Sequence, residues 1–193
     1  MMHSDIKSRP EYRALEPDLA GNRHLLVIEG ETLQHGRLDA LADTFAPVAG
    51  QLQTWLVGAP TAASGLGKVW QLAGPDAVLD AFACASRGFG MGDRLYVQGT
   101  EPFLWSVAGA AALIGFGPGQ VQLHHAGSLR RRVWCTHCHA FTDGVTTNIV
   151  PCGGCGRHLL VRDHFSRRLG AFMGVMVDAE APGEIPAIEE VFA

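Results

Sequence analysis

Val133-Trp134-Cys135-Thr136-His137-Cys138 and, thirteen residues further on, Cys152-Gly153-Gly154-Cys155-Gly156 decide how the C-terminal part of this 193-residue chain folds. Two intervening residues let both sulfurs of a Cys-x-x-Cys pair reach one ion, and two such pairs close a tetrahedron of thiolates. Glycines at 153, 154 and 156 free the backbone for the tight turn that the second pair needs. The spacing therefore predicts a metal site with Cys135, Cys138, Cys152 and Cys155 as ligands. The expected module is of the zinc-ribbon or rubredoxin-like kind and covers residues 128–175.

Four thiolates suit both zinc and iron, and the protein ligands are the same for either. Zinc is favoured. It would leave no coordination position open for water, which makes the site structural, whereas iron would let it carry one electron. His137 and His139 flank Cys138, but with four cysteines available they belong at the surface or behind the ligands. Between the pairs, Ala140 to Val150 is rich in threonine and valine and broken at Asp143-Gly144, which predicts a hairpin turning there. Leu159-Leu160-Val161 predicts a further strand.

Outward from the module, charge is unevenly placed. The net charge is -4, yet residues 128–168 hold seven arginines against Asp143 and Asp163. Arg130, Arg131, Arg132, Arg157, Arg162, Arg167 and Arg168 could present a face to phosphate or carboxylate, or form a solvated basic rim. Nucleic acid is a poor candidate partner. No aromatic residues are interleaved with the arginines as a stacking surface, and the remainder of the chain is acidic.

Residues 22–127 read as an α/β lobe. Leu25 to Ile28, Leu52 to Val57, Leu95 to Val97 and Val121 to Leu123 are short apolar runs that predict strands. Leu38 to Phe45, Pro75 to Ser86 and Pro102 to Ile114 predict helices, with Gly115 and Gly117 ending the last. This alternation implies a small, mostly parallel sheet with helical crossovers. Residues 1–21 and the acidic stretch 176–193 are expected to be arms.

Two glycine-rich segments fall short of nucleotide fingerprints. Ser64-Gly65-Leu66-Gly67-Lys68-Val69 lacks the leading glycine of a P-loop and has valine where magnesium needs a hydroxyl. Gly88-Phe89-Gly90-Met91-Gly92 precedes a strand instead of following one, so it reads as a turn. Cys84, in the apolar run Val78 to Cys84, is expected to be a buried, inert thiol. No run of about 20 apolar residues suggests a membrane span, and Met1 to Glu11 lacks a signal peptide's apolar core, so the cytoplasm is the expected location.

The run from Val133 to Gly174 resembles one family in particular. It passes through Asp143-Gly144-Val145-Thr146-Thr147-Asn148 and the second cysteine pair to Val161-Arg162-Asp163-His164-Phe165-Ser166-Arg167-Arg168-Leu169-Gly170. It resembles the DmmA-type subunit of bacterial dimethylamine monooxygenase. That resemblance implies membership of a multi-subunit oxygenase. Such an enzyme uses O2 and NAD(P)H to demethylate a secondary amine, releasing methylamine and formaldehyde. It also implies that haem and flavin belong to partner subunits, because this chain shows no haem site and no paired carboxylate–histidine motif.

A second resemblance concerns residues 95–125, which are similar to the nicotinamide half of ferredoxin reductases. That family reads Cys-Gly-Pro-x-Pro-Met at the turn where this chain has Gln98-Gly99-Thr100-Glu101-Pro102-Phe103. Gly99 and Pro102 are kept, while Gln98 and Thr100 depart from the pattern. The expectation is a reductase-like fold that has lost nicotinamide binding.

Overall fold

The computed structural model describes residues 8–33, 37–58, 64–85 and 88–193. Met1 to Lys7 and Ser86, which entered the readings of the N-terminal arm and of the second helix, lie outside them. The described chain forms two units: residues 12–127, and residues 128–193 together with residues 8–11.

The lobe is built on five parallel strands: β1 (Arg23–Glu29), β2 (Leu52–Val57), β3 (Lys68–Leu72), β4 (Asp93–Gly99) and β5 (Val121–His125), in the order β3-β2-β1-β4-β5. Three helices, α1 (Arg37–Phe45), α2 (Pro75–Ala85) and α3 (Glu101–Leu113), lie between successive strands. This order is that of doubly wound sheets, whose strand sequence reverses between the first and fourth strands. A central strand of such a sheet is covered on both faces and so reads as a continuous apolar run. β1 obeys this: Leu25 and Val27 pack with Trp55, Phe82, Phe103 and Val107 on one face, and Leu26 and Ile28 pack with Phe45, Leu56 and Tyr96 on the other.

The strand and helix expectations for the lobe hold, with two corrections. β3 was not expected. It is an edge strand whose side chains are mostly exposed, Trp70 at 47% among them, so it carries little of the apolar signal of a buried strand. Cys84 is exposed, not buried. In α2 the core-facing positions are Val78 and Phe82, four apart, and Cys84 lies two residues further round the helix.

Residues 12–20 lie along the lobe. Leu15 is buried, the Asp18 backbone N–H donates to the Tyr96 hydroxyl at 2.9 Å, and Glu16 and Gln122 exchange two hydrogen bonds. At the amino ends of the strands, Arg23 grips both oxygens of Asp93 at 2.8 and 2.6 Å, and Arg94 pairs with Asp18 at 2.5 Å. Gly88 to Gly92 is a turn leading into β4, as expected.

The second unit contains five more strands: β6 (Arg131–Cys135), β7 (Phe141–Val145), β8 (Ile149–Pro151), β9 (His158–Ser166) and β10 (Ala171–Met176), in the order β7-β6-β10-β9-β8. β6 pairs with β7 and β8 with β9, both antiparallel, and β10 joins the two hairpins by pairing with β6 in parallel and with β9 antiparallel. The expected hairpin turning at Asp143-Gly144 is not formed. Those residues lie inside β7, and the turns of the two hairpins are the cysteine pairs themselves.

Candidate metal centre

Each Cys-x-x-Cys sits at the tip of a hairpin, and the two tips have the same backbone geometry. In the first, the Cys135 N–H donates to Ala140 O at 2.9 Å and the His139 N–H to Cys135 O at 3.0 Å. In the second, the Cys152 N–H donates to Arg157 O at 2.8 Å and the Gly156 N–H to Cys152 O at 2.9 Å. The residue after the second cysteine is left-handed in both, His139 at φ 64° and Gly156 at φ 72°. A conformation usual for glycine is thus adopted by histidine in the first tip, where the His139 ring stacks on Trp134 at 5.1 Å and 12°.

These matching turns bring four sulfurs together. Cys135 and Cys155 are 3.9 Å apart, Cys138 and Cys152 are 3.5 Å apart, and all four Sγ atoms lie within 4.8 Å of one another. A tetrahedral ion with bonds of about 2.3 Å would separate its sulfurs by about 3.8 Å. The four expected ligands therefore fit one ion. Among the described residues no other group of three or more histidine, cysteine or carboxylate side chains is gathered in this way.

Burial and hydrogen bonding differentiate the four. Cys135 and Cys152 are buried, Cys155 is half-buried and Cys138 is exposed. The Gly154 N–H donates to Cys152 Sγ at 3.4 Å. The Arg157 backbone N–H is the main reason that the Cys155 thiol is lowered to about 6, and the Arg157 side chain and neighbouring sulfurs add to it. At Cys138 the Ala140 backbone favours the thiolate, but loss of water and the other three sulfurs together push it up to about 11. Space around the tip is short: a Cβ on Gly154 would lie 2.5 Å from Ala140 Cβ and 3.1 Å from Cys138 Sγ.

The arginines do not form one free contact face. Arg131 is buried at 5% exposure, with its guanidinium 3.8 Å from the ring centroids of both Phe172 and Phe192 and an ion pair to Asp163 at 2.8 Å. Arg132 pairs with Asp143 at 2.6 Å. Sequence reasoning missed this internal role. Phe192 belongs to the acidic C-terminal stretch, which is held to the module through the Val191 and Phe192 N–H groups on Thr146 O and through Asn148 on Glu189.

Doubly wound sheets bind dinucleotides where the strand order reverses, which in this lobe is at the carboxyl ends of β1 and β4. A phosphate there relies on free backbone N–H groups at a helix N-terminus. In this chain a carboxylate takes that place: Glu29 Oε2 accepts the Thr100 N–H, which opens α3, at 2.6 Å. A Cβ on Gly99 would lie 2.6 Å from the Phe103 ring and 2.8 Å from Glu29 Oε2, so the turn is closed around that acid. These residues do not fit a dinucleotide phosphate.

Residues 132–175, which include both cysteine hairpin tips, match the family described as "Dimethylamine monooxygenase subunit DmmA-like, C-terminal domain". Over 180 residues the chain is 29% identical to the "Heme-dependent oxidative N-demethylase delta subunit" of Ectopseudomonas mendocina (strain ymp), with 91% of each chain covered. No solved structure matches the chain. The likeness to the delta subunit thus covers the α/β lobe as well as the metal module, whereas the DmmA-like match is confined to the module. No described helix is long and apolar enough to cross a membrane.

Proposed function

We propose that this chain is an accessory subunit of a multi-subunit, haem-dependent oxidative N-demethylase of the cytoplasm, working beside haem-bearing and reductase subunits. The observation that carries this reading is the likeness to a delta subunit along 91% of both chains. The complex would use O2 and NAD(P)H to convert a secondary amine such as dimethylamine into methylamine and formaldehyde. This chain would not catalyse that reaction alone. Its lobe has a carboxylate where a nucleotide phosphate would sit, and the four cysteines leave no ligand position for substrate.

In this reading Cys135, Cys138, Cys152 and Cys155 hold zinc. The ion fastens two hairpin tips that also meet through β10, the Arg131–Asp163 ion pair and the Gly153 N–H on Thr142 Oγ1, and four thiolates exclude water from it. The lobe, with its exposed Trp70 and Leu79, supplies surface for the partner subunits. A rubredoxin-like electron carrier is the second reading, favoured by the exposed Cys138 sulfur and the N–H donated to Cys152 Sγ.

Tagged chain expressed with its neighbouring genes should co-purify with a haem-bearing subunit and with amine-dependent formaldehyde release that the chain alone lacks. A chain that elutes free of every haem-bearing partner would contradict the proposal.

A further inference from the structure

A groove between α2 and the β2–β3 edge of the lobe holds a hydrogen-bond donor that nothing in the fold uses. Trp55 of β2 and Trp70 of β3 are register partners in a parallel pair, so both indoles rise from the same face of the sheet. Leu72, two residues beyond Trp70 on that face, packs on the core that Trp55 joins. Ala81 and Cys84 of α2 stand across a gap from the two indoles. That gap is a groove of about 430 Å³ lined, among the described residues, by Gln53, Trp55, Trp70, Leu72, Ala81 and Cys84. An adjoining cavity of about 480 Å³ shares Gln53, Trp55 and Cys84, so Trp55 stands between the two spaces.

Trp55 is 6% exposed, and its indole N–H has no hydrogen-bond partner among the described residues. An indole N–H this deeply placed usually finds one. The unpaired side-chain polar atoms that water cannot reach among these residues are His24 Nε2 and Gln98 Nε2. The Trp55 N–H is not one of them, so it opens onto the space that Trp55 lines. Gln53, half-buried on the same strand and face, adds a side-chain amide that also has no partner among the described residues.

The lining narrows the ligand. Two indoles, a leucine and an alanine around a bare N–H and an amide have the make-up of a small-molecule site, apolar with a few placed polar groups. Water alone would find few partners on such walls. Trp70 is 47% exposed and steadied by Lys68, whose Nζ is 4.8 Å from its ring centroid. Indoles favour flat rings, which pack on them offset-stacked or edge to face. The Trp55 N–H can only donate, so the ligand has to accept.

We propose that this groove binds an aromatic ring bearing a carbonyl group, of the size of benzamide. The ring lies against Trp70 and Leu72, and the carbonyl accepts from Trp55 Nε1, with the Gln53 amide as a second donor. The inference does not rest on the subunit role.

The test is a titration of the ¹⁵N-labelled full chain with benzamide, following its four indole N–H signals. Trp70→Phe, Trp105→Phe and Trp134→Phe assign the Trp55 signal by elimination. A saturable shift of that signal is expected at millimolar benzamide. Cyclohexanecarboxamide, which keeps the carbonyl without the flat ring, and benzylammonium, which keeps the ring without an acceptor, should each bind about tenfold more weakly. Trp70→Ala, at an exposed edge position, should weaken benzamide about tenfold with the Trp105 and Trp134 signals in place. Should those signals move in Trp70→Ala, Cys84→Phe, which narrows the groove from α2, reads the same loss. An unchanged Trp55 signal would mean ordered water only and overturn the proposal. So would equal binding of all three probes, or undiminished binding to the groove variant.

Discussion

His139 and Gly156 occupy the same place in the two cysteine hairpin tips, each donating its backbone N–H to the first cysteine of its pair, at 3.0 and 2.9 Å, with φ of 64° and 72°. A left-handed residue with a side chain costs about 1–2 kcal/mol, and a stacked ring pair returns about 0.5–1.5 kcal/mol. His139→Gly should therefore change the stability of the metal-loaded module by no more than about 1 kcal/mol. His139→Val, branched at Cβ and unable to stack, should lose about 2 kcal/mol and give up metal to a chelator sooner. Thermal unfolding and chelator competition on both variants check this, and a valine variant as robust as the parent would refute it.

The Arg131 guanidinium lies between Phe172 and Phe192, 3.8 Å from each ring centroid. Phe192→Ala should release the C-terminal segment at a cost of about 1–2 kcal/mol, combining lost burial with one cation–π contact. Hydrogen exchange at Val191 and limited proteolysis of residues 176–193 should both accelerate, while metal content stays at the parental level. Protection identical to the parent would show that Thr146 and Asn148 hold the segment without the aromatic clamp.

Glu29 caps α3 through Thr100. Removing its carboxylate in Glu29→Ala should cost about 1 kcal/mol, as for other lost caps. Gly99→Ala should cost about 1–3 kcal/mol, because the added methyl collides with Phe103 and Glu29. NADPH should leave the melting temperature of the parent chain unchanged, since the Glu29 carboxylate already takes the Thr100 N–H at this turn. A dose-dependent rise would contradict the assignment of Glu29 as the occupant.

Burial holds His24 below the ordinary histidine range, against smaller opposing effects of the Gly21 backbone and Asp18. The unfolded chain then takes up a proton below about pH 6.5 that the folded lobe refuses, so stability is full above that pH and falls as pH drops through it. Asp18, lowered mainly by its hydrogen bond from Arg94, and Asp93, lowered by Arg23 and the Gly90 N–H against the cost of its burial, lose their contribution only at a more acid pH, below the ordinary carboxylate range. Urea unfolding between pH 5 and 7 should show a slope that His24→Leu flattens. An equal slope in both proteins would place the titration elsewhere.

What could be read in the sequence differs between the two units for physical reasons. The gathering of Cys135, Cys138, Cys152 and Cys155 was legible because ligand chemistry is written in spacing. In the lobe, β1, β2, β4 and the helices were legible because buried parallel strands are continuous apolar runs. β3 was not, because an edge strand with Lys68, Trp70 and Gln71 exposed resembles a loop. In the module, Asp143-Gly144 carried a strong turn signal but lies within β7, since the cysteine tips already turn the chain. The matching positions of His139 and Gly156 were the available clue. The parallel pairing of β6 with β10 joins residues such as Trp134 and Met173, far apart in the chain, and no local pattern announces it. Cys84 was misplaced because apolar residues surround it in sequence, while Val78, Ala81 and Phe82 pack on the core and Cys84 is exposed.

The central claim is that the four cysteines hold a structural zinc in a non-catalytic subunit. Metal content and the visible spectrum of the chain, purified with its partner subunits from medium supplying both iron and zinc, and then separated from them, test it most directly. The account predicts about one zinc per chain and no visible absorption. About one iron per chain, with a thiolate-to-iron band that bleaches on reduction, would contradict it and make the module an electron carrier.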